Sequence, residues 1–292
     1  MSNTYILYNP LAGNKNEDTD YVEKLKSMIP DKMPICVDLT TIHSYQDFLE
    51  CVEKNDSIYL CGGDGTLNRF INSIEDRKIP CSIFYYGTGV GNDFLRDVGK
   101  EKGNGPFRIN KYISDLPIVI VNGTKYRFVN NVGFGIDGYC CEVGDKIKET
   151  SDKPVNYTAI AIKGMLFHYR PVNATVTVDG KKYKYKRVWV APTMKGRYYG
   201  GGMMPAPEQN RLDKNGQVSL MLMHSSGKLR TLMVFPSIFN GTHIQHTNMV
   251  TIHRGCDITV EFDRPAALQI DGETIPNVTS YRVISEPTSV KK

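Results

Sequence analysis

Three short apolar runs in the first hundred residues each close on a glycine-rich polar loop. Residues 5–8 lead into Asn9-Pro10-Leu-Ala-Gly13-Asn-Lys15, and a helix is predicted over 18–28. Residues 57–61 lead into Gly62-Gly63-Asp64-Gly65, and a helix from Thr66 would carry Leu67, Phe70, Ile71 and Ile74 on one face. Residues 82–85 lead into Gly87-Thr88-Gly89-Val90-Gly91-Asn92, and a third helix begins near Asp93. Strand, loop and helix in threefold succession predict a parallel sheet with all three loops at its carboxyl edge, where open α/β sheets bind their ligands. After residue 115 the pattern changes. Residues 118–121 and 126–132 flank Asn122-Gly123, and 174–178 and 183–191 flank Asp179-Gly180. Both dipeptides suit two-residue hairpin turns, because each central position needs positive φ. Further strands at 217–223, 258–262 and 267–270, with helices at 154–168 and 228–239, predict a mainly antiparallel β-sandwich.

Composition bounds the class. The chain has 292 residues, 40% hydrophobic and 23% charged, as an ordinary globular protein of one large or two medium domains has. Apolar runs such as 118–121 and 229–239 fall short of the ~18 residues a membrane-spanning helix needs. The N-terminus lacks the basic and apolar regions of a secretory signal. Seven scattered cysteines without a Cys-x-x-Cys pair fit reduced thiols, hence a cytoplasmic location. The net charge of +5 conceals an asymmetry: 13 Lys and Arg stand against 17 Asp and Glu in residues 1–118, and 23 against 14 in residues 119–292. The basic half suits an anionic partner, whether membrane surface, nucleic acid or phosphorylated substrate, or serves solubility alone.

Gly62-Gly63-Asp64-Gly65-Thr66 carries the sharpest local signal. Glycines let backbone N–H groups approach phosphate oxygens, and the helix start behind them favours an anion. Asp64 suits such a place if Mg²⁺ lies between it and the phosphate. The companion loops repeat the chemistry, and Asp93 adds a second carboxylate at the same edge. Gly-x-x-x-x-Gly-Lys-Ser/Thr is absent, which excludes a P-loop NTPase.

Taken in order, Asn9-Pro10…Gly13, Gly62 to Thr66 and Gly87-Thr88…Asn92-Asp93-Phe94 resemble the three nucleotide loops of the diacylglycerol-kinase family of lipid kinases. Asn131-Val-Gly133-Phe-Gly135, Tyr198-Tyr-Gly200-Gly-Gly-Met203, Pro207 and Ile270-Asp271-Gly272-Glu273 continue the match across essentially the whole chain. The resemblance implies an α/β fold. A three-layer parallel-sheet nucleotide domain would span 1–118, with 280–292 returning to it, and a β-rich lipid-substrate domain would span 119–279. It implies transfer of the γ-phosphate of ATP to a lipid hydroxyl across an interdomain cleft, with diacylglycerol as the default acceptor. A sphingoid base, phosphatidylglycerol or a non-catalytic nucleotide-binding role are the alternatives. ATP would be held by Asn9, Pro10, Gly13, Lys15, Gly62, Gly63, Asp64, Gly65, Thr66, Gly87, Thr88, Asn92 and Asp93. Asp64, Asp93 and Asp115 would organise Mg²⁺; Asp271 would act as general base, with Glu273 in support. The family's structural Mg²⁺ site maps to Leu212, Asp213, Asn215 and Gln217, where Lys214 and Asn215 depart from the family's paired aspartates. Peripheral contact with the anionic inner membrane face is expected from the basic half, and the resemblance leaves a homodimer open.

Three further patterns carry less. Gly133-Phe-Gly135-Ile-Asp-Gly138 satisfies Gly-x-Gly-x-x-Gly, but Asp137 falls inside it rather than ~20 residues later, so no dinucleotide site is read there. Lys182, Lys184 and Lys186 share one face of a strand, with Tyr183 and Tyr185 on the other, as on a solvated edge strand or a face for anionic headgroups. No nucleic-acid motif accompanies them. His243-x-x-His246 has metal-like spacing without a third ligand in sight.

Overall fold

The structure is a computed structural model. It describes residues 2–10, 20–30, 33–42, 44–74, 79–89, 91–151 and 155–287, which form two compact units, Met1–Ser114 and Asp115–Lys292. In the first, β1 (Thr4–Tyr8), β2 (Ile35–Asp38), β3 (Ser57–Gly62) and β4 (Ser82–Gly87) are parallel, in the order β2-β1-β3-β4. β5 (Phe107–Arg108) adds an antiparallel edge beside β4, so the sheet is mixed rather than wholly parallel.

Helices α1 (Asp20–Met28), α2 (Tyr45–Glu50), α3 (Asp64–Ile74), α4 (Asp93–Asp97) and α5 (Asn110–Ile113) connect these strands. Helix α1 places Val22 and Leu25 on the sheet face that bears Ile6, Tyr59, Cys61 and Tyr86. Leu7 and Leu60 alternate to the opposite face and are also fully buried. Leu67, Phe70, Ile71 and Ile74 of α3 are all buried, as their helical spacing requires. The consequence for function is local. The turns after β3 and β4 lie side by side at one edge of the sheet, each followed at once by a helix start.

In the second unit, β6 (Ile118–Val121) and β7 (Thr124–Arg127) form a hairpin around Asn122 and Gly123, both at positive φ (49° and 79°). The hairpin stops at Arg127, earlier than the expected 132. β8 (Asn131–Gly135) instead pairs elsewhere, and helix α6 (Ile136–Thr150) follows it directly. After α7 (Tyr157–Lys163) and a wide helical turn over Gly164–His168 come β9 (Val172–Val178), β10 (Lys181–Val188), β11 (Val190–Met194) and β12 (Val218–Met223). Helix α8 (Lys228–Val234), β13 (Val250–Gly255), β14 (Asp257–Ile270) and β15 (Glu273–Ile284) complete the chain. The pairings are antiparallel in the order β13-β12-β11-β8-β14-β15-β6-β7, with β9 joined to β14 and β10 to β9. The two strands expected at 258–262 and 267–270 are one bulged strand, β14. Its first half pairs with β9 and its second with β8.

Val132, Phe134, Leu220, Leu222, Val260, Leu268, Tyr281 and Val283 share the core of this unit. The sequence suggested a boundary after 118 and a return of 280–292. In the structure the stretch to Ile284 pairs with β6 inside the second unit, because Tyr281 and Val283 alternate into that core. Among the described residues no helix is long and apolar enough to cross a membrane.

Candidate active site

The turns after β3 and β4 meet backbone to backbone. Thr88 N–H donates to Gly62 O at 2.9 Å, and the Tyr85 hydroxyl donates to the same carbonyl at 2.9 Å. A methyl group on Gly89 would stand 2.6 Å from Gly63 Cα, and one on Gly63 3.1 Å from Gly89 Cα, so any side chain at either place would push the loops apart. Thr66, buried at the start of α3, fills the space beside Gly62.

Asp64 ties the loops together. Its Oδ2 accepts from Asp93 N–H at 2.8 Å and its Oδ1 from Phe94 N–H at 3.1 Å, so it caps α4 from the neighbouring loop. A carboxylate there also suits the positive end of the helix. A methyl on Gly91 would be 3.9 Å from Asp64 Oδ2 and 4.0 Å from Asp93 Oδ2, so both carboxylates border one small space. Asn92, at φ 45°, donates from Nδ2 to Gly89 O at 2.6 Å, while its Oδ1 is buried without a hydrogen-bond partner among the described residues. Asn9 follows β1 directly and accepts from the Tyr21 hydroxyl at its carbonyl, and Pro10 beside it is exposed. Gly13 and Lys15 lie outside the described residues. The structure thus brings together Gly62–Thr66 and residues 87–89 and 91–93, two of the three loops read from the sequence.

In the second unit, Asp271 occupies the turn between β14 and β15 at φ 46°, followed by Gly272 at φ 94°. Its carboxylate accepts three successive backbone N–H groups: Val129 at 2.5 Å, Asn130 at 2.8 Å and Asn131 at 2.9 Å. Those N–H groups turn toward Asp271 instead of extending the β6–β7 hairpin, which explains why the predicted strand to 132 breaks. Arg211 backs the same segment from a buried position, its guanidinium donating to Val129 O and, at 2.7 Å, to Asn130 Oδ1. Asn131 Nδ2 is buried and lacks a hydrogen-bond partner among the described residues. Glu273, two residues on, is exposed at the start of β15, and Asp115 is half-buried at the first position of this unit.

Behind the Asp271 turn lies a group the sequence reading passed over. Gly272 N–H donates to Gln269 Oε1 at 2.9 Å, and Gln269 Nε2 reaches Asp137 Oδ2 at 3.5 Å. Asp137 is buried in the first turn of α6, pressed against Gly133, where a methyl would stand 2.3 Å from its Oδ2. Burial pushes its carboxyl up to about 7, against hydrogen bonds that pull it down. The Gly-x-Gly-x-x-Gly stretch therefore does open a helix, with Gly135 at φ 118° packed 2.4 Å, at a methyl's position, from Trp189 O. Its aspartate, however, points into the protein core.

Most of the acceptors implied for a structural cation are engaged by protein donors, while Asp213 Oδ2 is buried without a hydrogen-bond partner among the described residues. Asp213 Oδ1 accepts from Asn215 N–H, Arg254 Nη2 stands 3.7 Å from Asp213 Oδ2, Asn215 O accepts from the Cys256 thiol, and Gln217 O accepts from Gln209 Nε2. Leu212 is partly exposed, and Leu212 N–H donates to Asn210 Oδ1. Arg254 stands near the one carboxylate of this loop, at 3.7 Å from the buried Asp213 Oδ2. His243 is buried with Nε2 3.0 Å from Pro205 O, and among the described residues no cluster of three or more metal-ligating side chains occurs. Strand β10 pairs with β9 and exposes Lys182, Lys184 and Lys186 while Tyr183 and Tyr185 face the core.

Two glycine loops tied by an acidic cap, followed by an antiparallel β domain whose terminal hairpin carries Asp271, agree in order with the lipid-kinase resemblance of the sequence. Residues 3–120 match the diacylglycerol kinase catalytic domain, and residues 130–291 match the YegS C-terminal NAD kinase beta sandwich-like domain. The chain belongs to the diacylglycerol-kinase family of lipid kinases, and is a phosphotransferase with an alcohol group as acceptor. It is 24% identical to a diacylglycerol kinase of Bacillus subtilis, covering 94% of this chain and 90% of that one. It is 22% identical to the B. subtilis protein YtlR, provisionally named a lipid kinase, over 100% and 99% of the two chains. A crystal structure from Bacillus anthracis, of a protein provisionally named a diacylglycerol kinase, shares the fold with a TM-score of 0.67 at 19% identity, over 97% of this chain and 92% of that one.

Proposed function

We propose that the protein transfers the γ-phosphate of Mg-ATP to the hydroxyl of a membrane lipid, with diacylglycerol as the acceptor and phosphatidic acid as the product. The observation that carries this reading is the Asp64–Asp93 pair bordering one space beside two loops closed backbone to backbone. Phosphoryl transfer asks a protein chiefly for positioning and charge neutralisation. Backbone N–H groups of glycine loops suit phosphate oxygens, and two carboxylates with Asn92 Oδ1, which has no hydrogen-bond partner among the described residues, suit a divalent cation. Asp64, Asp93 and Asn92 would hold Mg²⁺, which supplies charge neutralisation of the phosphates; Asp115 is kept as a candidate ligand from the family pattern.

Asp271 is proposed to take the proton from the lipid hydroxyl as it attacks. The three N–H groups fix the direction of its carboxylate, and the buried Asn131 Nδ2 offers a donor to an acceptor oxygen nearby. Glu273 supports it from the same hairpin. Contact with the inner face of an anionic membrane gives access to the lipid.

The Asp271 bonds also favour a second reading, in which this carboxylate only holds the turn and the protein binds nucleotide without turnover. ADP release measured across a panel of diacylglycerol, phosphatidylglycerol and a sphingoid base tests both. Turnover with diacylglycerol alone supports the first reading. Turnover confined to another lipid alcohol replaces the acceptor. ATP binding with no ADP release from any of them supports the second.

A further inference from the structure

The second unit carries an apolar ridge that the chemistry above does not use. Helices α7 and α8 and the turns that follow them pack their inner faces onto the sheet through Ala161, Met165, Val234 and Phe235, joined there by Trp189, Met221 and Met223. Their outer faces are left in solvent. Phe167 is 72% exposed, Leu229 74% and Met233 75%, with Ile162 also exposed. Leu229 and Met233 are one turn apart on α8 and therefore share a face. Lys228 Nζ donates to Leu166 O at 2.9 Å, which fastens the start of α8 to the turn that carries Phe167. The apolar side chains thus form one ridge. Single exposed apolar residues need no explanation, but several of the largest kind on joined elements mark an interaction surface.

The charges around the ridge say what it meets. Lys163, His168, Arg170, Lys228 and Arg230 are all exposed beside or between its apolar members. Residues 155–170 contain no Asp or Glu, nor does the whole stretch 214–256. A protein partner would be expected to find mixed charges on its polar rim. Helix α6, packed on α7, brings Glu142 and Asp145, paired with Lys146 and Lys148, and the exposed Glu149. The exposed charges on the ridge's own two segments are all basic, and with protruding Phe, Leu and Met they fit a planar anionic surface, with apolar tips among acyl chains and ammonium and guanidinium groups at the phosphates.

We propose that the α7–α8 ridge, through Phe167, Leu229 and Met233 with Lys163, Lys228 and Arg230, is the surface on which this protein docks onto an anionic lipid bilayer. The proposal rests on the lipid-kinase reading for its purpose, but its test is independent of turnover. The ridge is separate from the Asp271 hairpin in sequence and from the residues assigned to chemistry.

The experiment is flotation of the full chain with vesicles of phosphatidylcholine alone and of phosphatidylcholine with phosphatidylglycerol, for wild type, Leu229→Asp/Met233→Asp and Lys228→Glu/Arg230→Glu. Wild type is expected to float with the phosphatidylglycerol vesicles and to release as salt rises. Both variants are expected to bind at least about tenfold more weakly, since each loses apolar insertion or attraction to the headgroups. All substituted side chains are exposed, so thermal melting should be unchanged. Turnover of a short-chain diacylglycerol dissolved as monomer should also be unchanged, while turnover of vesicle-borne diacylglycerol falls with binding. Equal vesicle binding by wild type and Leu229→Asp/Met233→Asp overturns the proposal. So does a variant whose only change is loss of self-association in sedimentation, which would make the ridge a contact between copies. Ridge-dependent vesicle binding without turnover of any lipid would instead sink the kinase reading and leave the docking surface standing.

Discussion

Asp64 and Asp93 are joined by a 2.8 Å hydrogen bond from the Asp93 backbone N–H to the Asp64 carboxylate. A side chain of one glycine loop therefore caps the helix that follows the other, and ties the two loops together. Replacing Asp64 by Ala should cost about 1–2 kcal/mol of stability, the usual loss of a capping carboxylate, and lower the melting temperature accordingly. Asp64→Asn, which keeps one acceptor oxygen, should recover part of that stability without recovering Mg-ATP affinity. Calorimetric titration with Mg-ATP beside thermal melting checks both. Full nucleotide affinity in Asp64→Asn would remove this carboxylate from the cation's surroundings.

Gly89→Ala places a methyl 2.6 Å from Gly63 Cα, well inside van der Waals contact, and backbone cannot yield as a flexible side chain can. The expected outcome is a loss of about 1–3 kcal/mol of stability and a drop in ATP affinity of roughly tenfold or more. Gly65→Ala, with no atom within 4 Å of the added methyl, is the control and should fold normally. If both substitutions bind ATP equally well, the close approach of the loops has no bearing on the nucleotide.

Asp137 makes stability depend on pH. Its carboxyl is raised by burial from 3.8 to about 7 in the folded protein. Below pH 3.8 both states hold the proton and above about 7 neither does. Between them only the folded state holds it, so stability contributed at low pH is lost as pH rises, on the order of 4 kcal/mol across the whole interval. Asp137→Asn keeps an oxygen for Gln269 and removes the charge. Urea unfolding at pH 5 and pH 8 should show wild type losing stability relative to the variant at the higher pH. Parallel curves for the two proteins would contradict this.

Arg211 donates to both the backbone and the side chain of the segment that holds Asp271. Lysine cannot reproduce a planar two-pronged donor, so Arg211→Lys should leave one of those buried acceptors unpaired and cost about 1–3 kcal/mol. If Asp271 must be held in direction, kcat should fall further than the ATP KM changes. A change confined to KM would place Arg211 outside the path to Asp271.

The legible parts of this molecule are those written in consecutive residues. Residues 57–61 and 82–85 lie within β3 and β4, and Asn122-Gly123 and Asp179-Gly180 turn their hairpins because short apolar runs and positive-φ dipeptides act locally. Strand β2 escaped because its half-exposed Ile-Cys-Val-Asp has too little apolar contrast. Helix α6 escaped because its first turn buries an aspartate and a glycine, which breaks the amphipathic pattern just where a start signal is sought. The partners of Asp271 could not be read at all. Val129, Asn130 and Asn131 lie about 140 positions away, and only the fold brings them to it. For the same reason nothing near Arg211 in the sequence indicates that its guanidinium goes to the Asp271 segment, 60 positions away.

The most direct test follows the phosphate itself. ATP labelled at the γ-phosphate would be incubated with the protein and diacylglycerol in mixed micelles, beside Asp271→Ala, and the lipid fraction counted. The account predicts label in phosphatidic acid for the wild type and a fall of at least about a hundredfold in the variant, as loss of a general base implies, with ATP binding retained. Label transfer by Asp271→Ala at the wild-type rate, or ATP binding by the wild type with no label in lipid, would contradict it.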